Sequence, residues 1–268
     1  MTCDLRDPVR NLSAMRMIGR CLLGLGILGL ASCASPPSPD RTAPGPDCFR
    51  YVAERRSALV VSNAPLTHWR SAARALADAA DDADGGSATP ISPDGYFLTA
   101  DHVLANAAGR HVQIVYDGPH GTIAAKARVI WRSYDDDLAL LHAPISTPRY
   151  YQWTPSDQWV PTGTPVIQAG IITGLKATDG KLADPVKPES AFGGSCRFKH
   201  SIPLKPGDSG GAVVDAKGRL IGVNSAVEFL IPMETAYFIG SEGCRPNTTF
   251  ISGLIKHDRE TIMKVSRP

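Results

Sequence analysis

The chain has 268 residues, of which 43% are hydrophobic, and it carries a formal net charge of +2. This hydrophobic content supports a packed core and excludes a globally disordered chain. The near-neutral charge gives no electrostatic basis for binding nucleic acid, so we expect no nucleic-acid partner. The 25 glycines and 22 prolines favour a turn-rich, β-rich chain over a helical bundle.

The amino terminus has the pattern of a secretory signal peptide. Two arginines precede the apolar run 21–30, which is shorter than the ~20 residues that a membrane-spanning helix needs. The stretch Leu30–Cys33 resembles a bacterial lipobox, which implies cleavage before Cys33 and attachment of lipid to that cysteine. We therefore expect residues 1–32 to be a lipoprotein signal peptide. The mature chain would be held by Cys33 on a membrane of the bacterial envelope, at the outer membrane or facing the periplasm. The alternative is a buried apolar helix with an incidental cysteine.

Two segments are predicted to precede the main domain. Residues 33–47 are too rich in proline to pack a core and are predicted to form an extended tether. Residues 48–85 are predicted to be an N-terminal extension. It would contain an α-helix over 66–80, where apolar residues recur at helical spacing after a start signal. We expect this helix to pack on the main domain, and a role as an exosite or partner helix is the alternative. Residues 86–268 would form the main domain.

Three short motifs carry the candidate chemistry, in the order histidine, aspartate, serine. His102 follows an apolar run, Asp137 begins another, and Ser209 lies in a glycine-rich turn. A nucleophile, a base and an orienting carboxylate are the three parts that serine-type acyl transfer needs. Asp135 and Asp136 precede the second apolar run less closely, so we expect Asp137 to be the buried member of the three and the other two to be solvated.

These motifs together resemble those of the trypsin-like serine peptidases, and more closely their bacterial HtrA-like branch. The resemblance covers roughly residues 86–255. It implies a mainly β fold with two antiparallel six-stranded β-barrels, here with an N-terminal helical extension and a C-terminal amphipathic helix over 251–265. It also implies a serine endopeptidase that acts on protein or peptide substrates through an acyl-enzyme. HtrA proteins usually carry a PDZ module, and we expect none here because the chain is too short.

The resemblance assigns a role to each motif residue. His102 would be the general base, Asp137 would orient it, and Ser209 would be the nucleophile. The backbone N–H groups of Gly207 and Ser209 would form the oxyanion hole. Glycine suits position 207 because a side chain there would obstruct the substrate.

Four residues are candidates for binding the substrate. Pro203 lies six residues before Ser209, where the floor of the specificity pocket often lies in this family. It offers no carboxylate to attract lysine or arginine, so we expect a preference for small or aliphatic side chains. Asn224, Ser225 and Ala226 would run beside the substrate backbone.

Two further aspartates adjoin the motif residues. Asp101 stands where the family usually has a small or amide residue, and a carboxylate pointing at His102 would raise the pKa of the imidazole. We expect Asp101 to face solvent or to cap the short turn that follows. In secreted trypsin-like enzymes the aspartate before the serine receives a freed N-terminal amine on activation. A lipidated terminus does not fit that role, so we expect Asp208 to be solvated or paired with Lys205 or Lys199.

Three cysteines besides Cys33 remain in the mature chain, namely Cys48, Cys196 and Cys244. A secreted compartment permits disulfides, and three pairings can be drawn. Cys196 precedes the nucleophile loop and Cys244 follows the strand expected to face it. We therefore expect a Cys196–Cys244 bridge with Cys48 free.

No metal or cofactor is expected, because no pair of the seven histidines has metal-ligand spacing with a carboxylate or cysteine partner. A competing function is a surface lipoprotein that uses an inactive or latent peptidase scaffold to hold a partner, although the complete set of three motifs argues against it. A third function is an esterase-like hydrolase, and the absence of the α/β-hydrolase order and of its Gly-x-Ser-x-Gly elbow argues against it. Nothing in the sequence indicates the oligomeric state.

Overall fold

Thirteen strands and two α-helices are present in the part of the chain that the computed structural model describes, which is residues 42–173, 179–191, 193–230 and 237–265. The predicted signal peptide and most of the predicted tether lie outside these residues. The strands form two antiparallel sheets. The mainly β fold with two such sheets is therefore confirmed, and the first sheet has seven strands instead of six.

The first sheet has the order β5-β4-β1-β2-β3-β7-β6. Its strands are β1 (Ser57–Ser62), β2 (Asp84–Pro90), β3 (Tyr96–Thr99), β4 (His111–Gly118), β5 (Gly121–Lys126), β6 (Arg128–Ser133) and β7 (Leu138–His142). The second sheet joins six strands in the order β10-β13-β12-β11-β8-β9. These are β8 (Pro165–Gln168), β9 (Asp179–Lys181), β10 (Cys196–His200), β11 (Ala212–Asp215), β12 (Leu220–Leu230) and β13 (Tyr237–Arg245).

Each sheet curls around its own apolar core, and a third core lies between the two sheets. The first sheet buries residues such as Leu59 and Ile114, and the second buries residues such as Phe198. The core between them joins Leu140 of β7 to Val214 of β11, among others. The two sheets are thus held together by a shared buried apolar core.

Strand β1 shows why the predicted boundary at residue 86 differs from the structure. This strand pairs with β2 on one side and with β4 on the other, and all six of its residues are buried. Leu59 packs in the core of the first sheet while Val60 packs in a separate cluster on the opposite face. A strand buried on both faces has no alternating pattern, so periodicity does not reveal it. The first sheet therefore begins at Ser57, and residue 86 falls inside β2.

The predicted helix over 66–80 is wrong. Only Ala72–Arg74 is helical in this stretch, as a single 3₁₀ turn. The first sheet takes up the backbone donors that a helix would use, since the N–H of Leu66 donates to Gln113 and that of Ala72 donates to Asp117. The apolar stripe is real, because Ala72 is buried in a cluster with β1 and β4 residues. Tertiary hydrogen bonds have overridden the helical preference of an alanine-rich segment.

Two α-helices close the core between the sheets. Helix α1 (Pro46–Ala53) begins within the predicted tether, with a proline in its first turn, and buries Val52. Helix α2 (Thr248–Val265) confirms the predicted C-terminal helix and begins three residues earlier. The side chain of Asn247 accepts a hydrogen bond from the N–H of Phe250, which caps this helix start. Among the helices of the described residues, none has the length and apolar character needed to cross a membrane.

Candidate active site

His102 and Asp137 are brought into direct contact by the first sheet. His102 lies in the 3₁₀ turn Asp101–Leu104, directly after β3, and Asp137 immediately precedes β7, which pairs with β3. The imidazole Nδ1 lies 2.9 and 3.0 Å from the two Asp137 carboxylate oxygens, and the backbone N–H of His102 donates to the same carboxylate at 2.9 Å. Because an ionised carboxylate only accepts, Nδ1 carries the proton and Nε2 is left as the free base.

The hydrogen bond to Asp137 raises the pKa of His102 above its ordinary value of 6.5, against the opposing effect of burial. Burial also opposes ionisation of Asp137. Hydrogen bonds from His102 and Ser225 nevertheless keep the pKa of Asp137 below its ordinary value. Asp137 adopts a φ of 51°, in the left-handed region that few residues other than glycine enter. The carboxylate is therefore charged and the imidazole is held in one orientation by a locally strained residue.

Ser225 of β12 connects the two sheets at this point. Its hydroxyl donates to the second oxygen of Asp137, and its backbone carbonyl accepts a hydrogen bond from the hydroxyl of Ser209 at 3.3 Å. Among the hydrogen bonds of the described residues, none joins the side chain of Ser209 to that of His102. The imidazole thus contacts the carboxylate of Asp137 directly, whereas Ser209 is linked to it only by way of Ser225. A rotation about χ1 of Ser209 is what would turn its hydroxyl away from the Ser225 carbonyl.

In the nucleophile loop, residues 206–211, some backbone N–H groups form hydrogen bonds within the protein and others do not. The N–H of Asp208 donates to Lys205, that of Gly210 to Asn224 and that of Gly211 to Asp208, at 2.8 to 3.0 Å. By contrast, no acceptor lies within reach of the N–H groups of residues 207 and 209 anywhere in the described parts of the chain. Both residues are partly exposed. Two unpaired donors on either side of one internally bonded residue form a ready site for a developing oxyanion.

Strand β2 holds the nucleophile loop in place, a role that the sequence motifs did not predict. The hydroxyl of Ser87 donates to the carbonyl of Gly207 at 2.8 Å, and its N–H donates to the carbonyl of Ser209 at 2.8 Å. The hydroxyl of Thr89 donates to the carbonyl of Gly210 at 2.8 Å. The first sheet therefore fixes the loop that belongs to the second sheet. Two hydroxyl residues spaced two apart on a buried strand are the signal that could have indicated this role.

The prediction for Asp208 is wrong. Its side chain is fully buried instead of solvated. Its carboxylate accepts hydrogen bonds at 3.0 Å from the backbone N–H groups of Ile172, Thr173 and Lys205, and another from the hydroxyl of Thr173. A carboxylate with this many donors is stabilised inside the protein without a freed N-terminal amine. Asp208 thus ties the nucleophile loop to the segment that follows β8.

Asn224 also differs from its predicted place beside the substrate. It is fully buried beneath the nucleophile loop, where its backbone N–H and carbonyl bond to the glycines after Ser209. Its side-chain amide donates to Gln168 at 3.0 Å, and its amide oxygen lies 3.1 Å from Nε2 of His200. Burial lowers the pKa of His200 to about 4, so its imidazole is neutral and donates to Asn224. Asn224 supports the nucleophile loop from below.

The other candidate substrate residues have mixed exposure. Pro203 and Ala226 are exposed and free to contact a bound peptide, whereas Ser225 is buried except for 3% of its surface. In the described parts of the chain, no group of three or more histidine, cysteine, aspartate or glutamate side chains is arranged to hold a metal ion.

The cysteines do not form the expected bridge, because Cys48, Cys196 and Cys244 are all free. Strands β10 and β13 pair with Cys196 opposite Arg245 and with Arg197 opposite Cys244. This register places the two cysteine side chains on opposite faces of the sheet, since neighbours along a strand alternate. Cys196 packs on the core of the second sheet, while Cys244 packs in the core between the sheets.

Asp101 is neither solvated nor a cap of the turn, contrary to expectation. Its side chain is buried, and its carboxylate forms a two-pronged ion pair with Arg132 of β6. Asp101 adds to the field that raises the pKa of His102, after the larger effect of Asp137.

We expect Gly210→Ala to destabilise the fold by more than about 3 kcal/mol. Gly210 has a φ of 84°, and a Cβ there would lie 2.2 Å from the carbonyl oxygen of Ser87 and 2.3 Å from the hydroxyl of Thr99. Gly109 is the matched control, because its φ is 73° but a Cβ at this position would meet nothing within 4 Å. Gly109→Ala should cost about 1–2 kcal/mol, from backbone strain alone. Equal urea midpoints for the two variants would contradict the close packing of the loop.

Ser225→Ala should lower turnover about ten- to a hundredfold, because a hydrogen bond to a charged group is typically worth about 1.5–3 kcal/mol. The backbone carbonyl that accepts from Ser209 is retained in this variant. Ser241→Ala is the control, since it removes a buried hydroxyl that donates to Ile202 at 2.7 Å and does not contact Asp137. The kcat of both variants should be measured on one peptide substrate. A loss in Ser241→Ala as large as that in Ser225→Ala would show that the effect comes from general destabilisation.

Comparison with known protein sequences finds one family model, the trypsin-like peptidase domain, over residues 86–223. A probable periplasmic serine endoprotease, DegP-like, from Chlamydia muridarum is 28% identical over 153 residues, which cover 54% of this chain and 29% of that protein. A protein of the same description from Pseudomonas fluorescens is 27% identical over 174 residues, covering 59% of this chain and 34% of that protein. The chain thus spans about a third of the length of these curated relatives.

Solved structures share the fold. The HtrA-type protease AlgW with a decapeptide matches with a TM-score of 0.52 and 21% identity, over 78% of this chain and 67% of that one. Deg5 matches with a TM-score of 0.51 and 17% identity, over 77% of this chain and 90% of that one. The resemblance expected from the motifs is therefore found in both the sequence and the fold.

Proposed function

The chain belongs to the trypsin-like peptidase family, whose model covers residues 86–223, and we propose that it is a serine endopeptidase that cleaves peptide bonds through an acyl-enzyme on Ser209. The observation that carries this proposal is the pattern of backbone donors in the nucleophile loop. The N–H groups of Gly207 and Ser209 are left without acceptors among the described residues, while those between and after them are bonded internally. Two unpaired donors suit an anion that forms next to Ser209, and the base proposed for the reaction is His102, whose Nδ1 is held by Asp137.

In the first half of the proposed reaction, Ser209 forms the acyl-enzyme. The hydroxyl of Ser209 turns from the carbonyl of Ser225 towards His102 and attacks the carbonyl carbon of the scissile bond, while Nε2 of His102 takes the hydroxyl proton. Asp137 keeps the other imidazole proton on Nδ1 and stabilises the positive charge that forms. The carbonyl oxygen of the substrate becomes an oxyanion and accepts hydrogen bonds from the N–H groups of Gly207 and Ser209.

The second half restores the enzyme. The tetrahedral intermediate collapses, and His102 gives its proton to the leaving amine as the carbon–nitrogen bond breaks. A water molecule then takes the place of the amine and loses a proton to Nε2 of His102 as it attacks the ester of Ser209. Collapse of the second intermediate returns the proton to Ser209 and releases the carboxyl product. His102 therefore acts first as base and then as acid in each half of the reaction, and the N–H groups of Gly207 and Ser209 bind the oxyanion in both halves.

The substrate proposed is an extended polypeptide with a small or aliphatic residue before the scissile bond. Pro203, six residues before Ser209, and Ala226 are both exposed, and neither side chain carries a charge that would attract lysine or arginine. The backbone of Ser225 and Ala226 would lie along the substrate, although Ser225 already uses its hydroxyl on Asp137. AlgW, which shares the fold, has been solved with a decapeptide.

We further propose that Cys33 carries a lipid that anchors the mature chain in the bacterial envelope. The signal-like leader 1–32 and the lipobox-like Leu30–Cys33 support this, and the DegP-like relatives are described as periplasmic. Growth with an alkyne-bearing fatty acid should label the wild-type chain but not Cys33→Ser. Equal labelling of the two chains would contradict lipidation at this cysteine.

Hydrolysis of a reduced, unfolded protein tests the proposed activity. Mass spectrometry of the products should show internal cuts, mainly after small or aliphatic residues. The rate should rise with pH through a midpoint above 6.5, because His102 accepts a proton only when it is neutral and its pKa is raised above that value. A folded sample that produces no fragments between pH 6 and 9 would contradict the activity. Cuts mainly after lysine or arginine would contradict the proposed specificity alone.

A further inference from the structure

The residue directly before the candidate base is held by an unusual ion pair. The Nε of Arg132 lies 2.5 Å from Oδ1 of Asp101, and one terminal nitrogen of the guanidinium lies 3.0 Å from Oδ2. The same terminal nitrogen donates to the backbone carbonyl of Asp101 at 3.3 Å. The side chain of Asp101 is only 6% exposed, while that of Arg132 is 41% exposed. Arg132 of β6 thus forms hydrogen bonds with both the side chain and the backbone of Asp101, the residue next to His102.

A buried carboxylate with this geometry has structural consequences for the turn. Two parallel N–H to oxygen contacts fix both the distance and the plane of a carboxylate, which a single contact or a lysine cannot do. The turn Asp101–Leu104 carries His102, so fixing Asp101 restricts where the imidazole can lie. His102 itself is fixed at its other end by Asp137, through both its backbone N–H and Nδ1.

The pair also sets the electric field at the imidazole. The carboxylates of Asp137 and Asp101 both raise the pKa of His102, and the open cavity beside it is also lined by Arg132, Asp135 and Arg197. Arg197 lies 3.3 Å from Glu242 and donates to the carbonyl of Asp135, so its charge is largely balanced. A bare carboxylate at position 101 would favour the protonated imidazole, and the guanidinium beside it offsets that effect.

We propose that Asp101 and Arg132 act together as positioning residues for His102, holding its turn in place and keeping the second carboxylate near the imidazole electrically balanced. Neither residue is assigned contact with the substrate. The inference rests on the proposed function insofar as His102 is the base, but the contacts that support it are independent of any activity.

The two single variants should move the titration of His102 in opposite directions. Asp101→Asn removes the negative charge and leaves the guanidinium, so the midpoint should fall. Arg132→Gln leaves an unbalanced carboxylate, so the midpoint should rise. Each shift should be about half a pH unit, the size expected for one charge several ångströms away at a partly solvated site. Arg132→Lys keeps the charge but loses the two-pronged contact, so the midpoint should stay while the reaction rate falls severalfold.

The experiment follows the His102 imidazole proton resonance against pH in the full chain carrying Ser209→Ala, with each variant added to that background. The same variants on the Ser209 chain are tested for the pH dependence of labelling by a fluorophosphonate. The matched control is Arg128→Gln, which breaks a two-pronged pair with Asp258 at 2.9 and 3.2 Å, also from β6. That control should leave the His102 midpoint unchanged.

Opposite shifts for Asp101→Asn and Arg132→Gln, with none for Arg128→Gln, support the proposal. Unchanged His102 midpoints, or shifts of the same sign in the two variants, overturn the proposal. A loss of stability alone would weaken the His102 resonance at every pH, but it would not shift the two midpoints in opposite directions. If Asp101→Asn or Arg132→Gln does not fold, the remaining variant still gives the sign of the His102 midpoint shift, and Arg132→Lys still gives the effect on the reaction rate. If no variant or parent reacts with the fluorophosphonate, the proposed function fails, and the resonance titration still decides the role of the pair.

Discussion

Ser209→Ala is expected to lower peptide hydrolysis by roughly 10⁶-fold, which would leave no detectable turnover. The reason is that Ser209 itself carries one of the two unused N–H donors of the nucleophile loop, and its hydroxyl is the group that would form the acyl-enzyme beside them. The fold should be retained, because the hydroxyl makes a single long contact, at 3.3 Å, with the carbonyl of Ser225. The measurement is the initial rate on the unfolded protein substrate, with the circular dichroism melt recorded in parallel.

Ser252→Ala is the matched control for this variant. Ser252 is an exposed serine of α2, and its hydroxyl donates to the carbonyl of Thr248 at 2.7 Å. Its rate should equal that of the wild type. Retention of more than about one hundredth of the wild-type rate in Ser209→Ala would mean that another group is the nucleophile, or that a contaminating peptidase is present.

Asp137→Asn is expected to lower turnover by about 10⁴-fold. Asp137 accepts hydrogen bonds from the backbone N–H and Nδ1 of His102 and from the hydroxyl of Ser225. An amide in its place can present its NH₂ group to Nδ1, which then becomes the acceptor. The imidazole proton moves to Nε2, and this nitrogen can no longer take the proton of the nucleophile.

Asp135→Asn is the control, because this neighbouring aspartate is exposed and its backbone carbonyl, which accepts from Arg197, is unchanged by the substitution. It should lower turnover less than about twofold, since an exposed charge contributes little. The loss in Asp137→Asn should appear in kcat with little change in the melting temperature. A similar fall for both variants would contradict the assignment of Asp137 and point to a general effect of charge on substrate attraction.

The parts of the fold that sequence predicted well are those where a motif and a strand coincide. His102 and Asp137 each adjoin an apolar run, and these runs became the paired strands β3 and β7, so the two side chains meet. Among three successive aspartates, contact with the apolar run selected Asp137, the one that lies against His102. The C-terminal helix was also predicted, because its apolar residues recur at helical spacing on one face.

The parts that sequence did not predict depend on distant residues. Strand β1 is buried on both faces, so its sequence has no period that distinguishes it from a core helix. The stretch 66–80 has helical spacing, but its backbone donors are taken by Gln113 and Asp117 of β4. No local pattern identifies such partners, because they lie some 45 residues further along the chain.

The environment of charged side chains near the site was the least predictable feature. Asp101 was expected to face solvent or to cap its turn, and Asp208 was expected to be solvated or paired with Lys205 or Lys199. Both are buried, one against the guanidinium of Arg132 and the other among backbone N–H groups. The donors come from β6 and from the segment after β8, so only the packed structure reveals them. The predicted Cys196–Cys244 disulfide was wrong for a similar reason, since the register of β10 and β13 decides on which face of the sheet each thiol lies.

The most direct test of the central claim is to react the full chain with a fluorophosphonate and to locate the adduct by peptide mass spectrometry. The account predicts a single modified residue, Ser209, with a labelling rate that rises with pH as His102 loses its proton. Chemical denaturation before labelling should abolish the adduct. A folded sample without any adduct, or one modified at a different serine, would contradict the assignment of Ser209 as an activated nucleophile.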